Sequence, residues 1–115
     1  MASTMQVCDL TNKKCKPCEG GVPPLSADEA KKLHSALKGW GLSPKKIEKS
    51  YEFKNFVEAL AFVNRVGAVA ESEGHHPDIF LHSWKWVRID LWTHAVDGLT
   101  ENDFIVAAKI DELPR

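Results

Sequence analysis

The chain lacks long apolar runs, an excess of either charge sign, and any cysteine beyond residue 18. No uninterrupted apolar stretch exceeds the five residues of Ala59–Val63, far short of the roughly 20 a membrane helix needs. A formal charge of −1 gives no electrostatic case for nucleic acid or an anionic membrane surface, both of which call for a basic excess. The first residues carry no apolar core of a secretory signal, so the expectation is a soluble, cytoplasmic chain, with the nucleus also open to it. No GxSxG elbow, P-loop or GxGxxG is present, and no His-x-His or His-x-x-x-His pair offers two ligands to one metal.

The three cysteines, Cys8, Cys15 and Cys18, all precede residue 20. An odd number outside the core argues for a reducing compartment rather than a disulfide framework. Cys15 and Cys18 have the spacing of a redox pair or half a zinc site. They have no preceding strand, no second CxxC and no nearby histidine, and the segment reads as an inert or locally structured extension.

With 115 residues and 43% hydrophobic composition, one globular domain is expected. Gly20-Gly21-Val22-Pro23-Pro24 separates an N-terminal extension, residues 1–22, from a domain at 23–115. Ser26 and Glu29 form a capping box that opens a helix with Ala30, Leu33 and Leu37 on one face, stopped at Gly39 or Gly41. A short strand is expected near Trp40–Leu42. Ile47, Tyr51 and Phe53 then alternate with polar residues, as in a strand. From about Lys54, Phe56, Leu60, Val63, Gly67 and Ala70 recur with helical spacing, and Gly67 suggests close packing against a neighbour.

Gly74 suits a helix end, and Pro77 forces the chain out of helix and extends His76. The run 82–94 alternates, with Val87, Ile89 and Leu91 facing the core and Trp86, Arg88, Asp90 and Trp92 facing away. Tryptophans on that second face point either to cross-strand packing or to a partner or ligand. Thr100 caps a last helix. Strand pairs joined by short turns and separated by helices imply an α+β fold: a four-stranded antiparallel sheet with three helices on one face.

The chemistry concentrates in the histidines. Adjacent residues diverge, so His75 and His76 do not readily share a metal. Histidine titrates near neutrality and serves as acid or base at cellular pH. In an antiparallel hairpin the start of one strand lies beside the end of its partner, which brings His75 and His76 toward His94. On spacing alone, simple solvated histidines remain an equal reading.

These residues resemble the pterin-4a-carbinolamine dehydratase family. The likeness runs through Glu71-x-x-x-His75-His76-Pro77, the aromatic-rich strand, Thr93-His94, Gly98-Leu99-Thr100 and Asp103. The CxxC extension and the segments GGVPPLS and LTENDFIVAAKI are most similar to plant and protist members. Gly74 and Trp92 depart from the family, many of whose members carry Asp or Asn and a small residue there.

The resemblance implies dehydration of a 4a-hydroxytetrahydropterin to a quinonoid dihydropterin, recycling the pterin of aromatic amino acid hydroxylases without a metal or other cofactor. It implies His75 and His94 as the acid–base pair and His76 as a binding or protonating partner. Glu71, Gly74, Pro77, Trp92, Thr93 and Asp103 would contact substrate or orient the imidazoles. A homo-oligomer, dimer or tetramer, is implied, with an aromatic amino acid hydroxylase as a further partner. The alternative is a non-catalytic binding module resembling a transcriptional coactivator or dimerisation cofactor.

Overall fold

A computed structural model describes residues 10–16 and 23–115. Cys8, Cys18 and the Gly20–Gly21 linker lie outside the described residues. The elements are α1 (Ala27–His34), β1 (Gly41–Leu42), β2 (Ile47–Glu52), α2 (Phe56–Glu73), β3 (Asp78–His82), β4 (Trp86–Leu91), a 3-10 turn (His94–Val96) and α3 (Glu101–Asp111). The sheet has four strands in the order β1-β2-β4-β3, antiparallel throughout, and the fold is α+β as expected. Among the described residues no helix is long and apolar enough to cross a membrane.

Alternation in β4 divides the sheet as its sequence dictates. Val87, Ile89 and Leu91 are fully buried on the helix side, together with Ile47 and Tyr51 of β2. Each such aliphatic contributes about 1.5–3 kcal/mol by leaving water. On the opposite face the Arg88 guanidinium lies 4.4 Å from the centre of the Phe80 ring and binds Asp90 through Nε at 3.0 Å. Cross-strand packing therefore covers part of that face, while Phe80 and Trp84 stay exposed.

Helix α1 begins with the expected capping box: Glu29 N–H donates to Ser26 Oγ and Ser26 N–H to Glu29 Oε1. It ends at His34, earlier than the glycines suggest, because the chain tightens into a turn there. Ala36 N–H donates to Leu33 O and Leu37 N–H to His34 O, so Leu37 reaches the core from the turn. His34 is half-buried, its Nε2 2.6 Å from Trp40 O.

The inward face of α2 differs from the expected one. Ala59, Phe62, Val66 and Ala70 are buried, whereas Phe56, Val57 and Leu60 are exposed. The helix is apolar on more than one face, and the inward face is chosen by Phe62, whose ring packs 4.8 Å from Tyr51 and 4.9 Å from Phe53. Among the described residues a Cβ placed on Gly67 would meet nothing within 4 Å beyond its own helix, so the expected close approach does not occur there.

Residues 10–16 pack against this body. Leu10 is fully buried in the same core, and Cys15 packs beside it.

Candidate active site

Helix α2 ends as its sequence requires. Gly74 takes a left-handed conformation, φ 67°, that a side chain would strain, and its N–H donates to Ala70 O. The chain turns through His75, His76 and Pro77 into β3. Register pairs Asp78 with Asp90, and continuing it by two residues sets His76 beside Trp92. The loop after β4 is closed by a two-way bridge, Thr93 N–H to Gly98 O at 2.8 Å and Gly98 N–H to Thr93 O at 3.3 Å. A Cβ on Gly98 would stand 2.7 Å from Pro24 Cβ, so only glycine lets residues 23–25 lie against this loop.

These segments frame an open pocket of about 440 Å3, within the roughly 300–1,000 Å3 of small-molecule sites. Gly74, His75, His76, Pro77, Trp92, Thr93 and His94 all line it. Glu71 and Asp103 act on it from outside. The hairpin has drawn the two histidine segments together, while His82 lies at the far end of β3, opposite Trp86.

The adjacent histidines diverge. His75 is buried, with Nε2 2.6 Å from Asp103 Oδ1. His76 is exposed, with Nε2 2.7 Å from Glu71 Oε1, in a pair whose side chains are both well over half exposed. The two imidazoles thus serve different surroundings.

Asp103 is fully buried and accepts from three sides: His75 at Oδ1, and Thr93 Oγ1 (2.8 Å) and Thr100 N–H (3.0 Å) at Oδ2. Since the single Thr93 hydroxyl proton goes to the carboxylate, Thr100 Oγ1 donates to Thr93 Oγ1 at 2.8 Å. A buried carboxylate is tolerable only when its lone pairs are this well occupied. The N-terminal turn of α3 therefore both caps its helix and fixes the orientation of His75.

His94 stands exposed at the start of the 3-10 turn, its ring centre 3.8 Å from that of Trp92 and tilted 36° to it. Trp92 Nε1–H in turn donates to Asp78 Oδ2 at 3.3 Å. An exposed imidazole braced on an indole and an imidazole braced on a carboxylate line one pocket, where both can exchange protons with a bound ligand.

Four further residues line the pocket that sequence reasoning did not single out: Lys16, Asp78, Ala95 and Asn102. Strand register alone carries a signal for Asp78. Lys16 and Asn102 meet across 86 residues of chain and leave no local pattern.

The chain is thus a small α+β protein with a histidine-lined pocket at the mouth of a β-hairpin. Residues 23–113 match the pterin 4 alpha carbinolamine dehydratase family, and the chain belongs to it. It is 53% identical over 108 residues to a protein of Nitrosomonas europaea, spanning 93% of this chain and 95% of the relative. It is 50% identical over 111 residues to one of Methylococcus capsulatus, spanning 95% and 96%. Both relatives carry pterin-4-alpha-carbinolamine dehydratase as a provisional designation.

Among solved structures, the chain is similar to a transcriptional coactivator/pterin dehydratase from Brucella melitensis, with 32% identity and a TM-score of 0.71. That likeness covers 76% of this chain and 95% of the other. It is also similar to a pterin dehydratase-like protein described as a RuBisCO assembly factor in the alpha-carboxysome, with 25% identity and a TM-score of 0.51, covering 63% and 82%.

Proposed function

We propose that this protein is a 4a-hydroxytetrahydrobiopterin dehydratase that converts pterin-4a-carbinolamine to quinonoid dihydropterin and so recycles the cofactor of aromatic amino acid hydroxylases. The observation that carries the reading is a single pocket lined by both His75, fastened to the buried Asp103, and His94. The reaction removes one water: the hydroxyl on C4a leaves with an added proton, N5 gives up its proton, and the freed electron pair closes the C4a–N5 double bond. One acid and one base suffice. His75 and His94 form that pair, and His76 binds or protonates the pterin. Gly74, Pro77, Trp92 and Thr93 shape the substrate's seat, while Glu71 and Asp103 orient the imidazoles.

A cytoplasmic homo-oligomer, dimer or tetramer, accompanies this reading; the exposed Phe56, Val57 and Leu60 of α2 offer apolar surface for it. Sedimentation velocity of the purified chain reads the state, and a monomer at micromolar concentration would sink it.

The deciding experiment follows carbinolamine breakdown spectroscopically. Wild-type protein should accelerate it over the buffer rate, and His75→Ala and His94→Ala should each lower turnover by about 10² or more with the fold intact. Unchanged rates in the double variant would overturn the assignment. The names of the two structural neighbours favour a second reading, a non-catalytic binding module. Such a protein would keep its partner after both histidines are lost and would not accelerate dehydration.

A further inference from the structure

One wall of the pocket is left unused by the acid–base reading. Residues 13–16 cross the junction between the end of α2 and the start of α3 and are fastened there residue by residue. Lys13 Nζ lies 2.9 Å from Glu101 Oε2, and Lys14 Nζ donates to Ser72 O at 3.1 Å. Cys15 N–H donates to Glu73 Oε1 at 2.9 Å, and its thiol to Asn102 O at 3.7 Å. The buried Asn102 carboxamide then grips the Lys16 backbone twice: Lys16 N–H donates to Oδ1 at 3.0 Å, and Nδ2 donates to Lys16 O at 2.7 Å. Leaving a buried amide unmet is costly, so this clamp fixes the point from which the Lys16 side chain emerges. Lys16 and Asn102 both line the histidine pocket. The matches to bacterial relatives span more than nine-tenths of the chain, too much to leave this segment out.

We propose that Lys16 is a substrate-positioning residue, its ammonium donating to an acceptor oxygen on the pterin edge that carries the reacting atoms. The proposal rests on the pterin reading. In a pterin, the carbonyl carbon C4, then C4a, N5 and C6 follow one another along one edge. A ring that presents C4a and N5 to the histidines therefore presents O4 on one flank and the C6 substituent on the other. Lys16 lines the same pocket as the histidines, so in this pose its ammonium would meet one of those flanks, and a charged donor makes the stronger kind of hydrogen bond. Such a contact holds ground and transition states alike, so its loss appears in KM rather than in kcat.

The test is steady-state kinetics of the full chain as wild type, Lys16→Met and Lys16→Arg. Two carbinolamines are compared, one with a 6-methyl group and one with a dihydroxypropyl side chain at C6. Lys16→Met should raise KM about tenfold with kcat within about twofold, and Lys16→Arg should recover most of the loss. A rise with both substrates sets the ammonium on O4; a rise confined to the dihydroxypropyl compound sets it on the C6 substituent. Unchanged KM with both, in a variant of wild-type melting temperature, overturns the proposal. Asn102→Ala, which opens the clamp, should raise KM in wild type and add nothing in the Lys16→Met background; full additivity would also overturn it. Absence of turnover in the wild type would sink the dehydratase reading itself, whereas wild-type turnover with an indifferent Lys16 sinks this inference alone.

Discussion

His75 and Asp103 are 28 residues apart in the chain and 2.6 Å apart in the fold. The contact joins the turn after α2 to the first turn of α3. It leaves Nδ1 as the ring nitrogen of His75 not engaged by the carboxylate. The same carboxylate also accepts from Thr93, so the loop bearing His94 and the imidazole of His75 are referenced to one buried group.

Replacing Asp103 with asparagine should keep the shape and lose the chemistry. An amide oxygen can still accept from Thr93 and Thr100, but its NH2 then faces His75 Nε2 and forces that nitrogen to accept. The proton moves to Nδ1, and the ring presents the wrong partner to a ligand. Dehydratase turnover should fall by about 10² or more while circular dichroism still reports a cooperative fold. Wild-type turnover in Asp103→Asn would show that the orientation of His75 does not matter. Glu71 makes a useful contrast: its pair with His76 is solvent-exposed, where ion pairs contribute only about 0–1 kcal/mol.

The architecture was legible because β4 alternates cleanly and because Ser26, Gly74 and Thr100 mark helix ends by local chemistry. The inward face of α2 was not. Phe56, Val57 and Leu60 compete with Ala59, Phe62 and Val66, and helical spacing accommodates either set. The aromatic contacts of Phe62 with Tyr51 and Phe53 decide it, and these are tertiary. In the site, the approach of Gly74–Pro77 to Trp92–His94 follows from hairpin geometry alone. Asp103 was recognisable through family resemblance, since its local role as a cap partner of Thr100 hides its second role beneath His75. The Lys16–Asn102 clamp joins residues with no periodic relation, so nothing short of the folded chain reveals it.

Cys15 should behave as an inert thiol. Burial, then the charge and hydrogen bonding of Glu73, push its pKa from about 9 up to about 12. Reactive cysteines of CxxC motifs have lowered values instead, because the thiolate is the nucleophile. In a Cys8→Ser, Cys18→Ser background, Cys15 should react with an aromatic disulfide reagent at pH 8 at least about a hundredfold more slowly folded than in denaturant. Equal rates would restore a redox role for this cysteine.

The alkaline limit of stability should be set in part by Tyr51, the only tyrosine of the chain. Its hydroxyl donates to Asp111 Oδ1 at 2.6 Å, and the same carboxylate takes Trp40 Nε1–H at 2.8 Å and Lys49 Nζ at 2.9 Å. Burial first, then Asp111, raises the phenol well above its usual range. The folded state thus keeps this proton to higher pH than the unfolded state. The stabilisation is complete below the unfolded value near 10 and is lost as pH rises beyond it. Cys15 acts with the same sign, so the comparison is best made in Cys15→Ser. Tyr51→Phe should cost about 1 kcal/mol at pH 7 for the lost hydrogen bond, since Asp111 retains two donors. Its denaturant midpoint should then fall less steeply above pH 10 than that of the parent. With one tyrosine present, phenolate absorbance reports this group alone and should appear together with unfolding. A phenolate titrating near pH 10 in the folded protein, or identical slopes in parent and variant, would show that Asp111 and the core do not hold the Tyr51 proton.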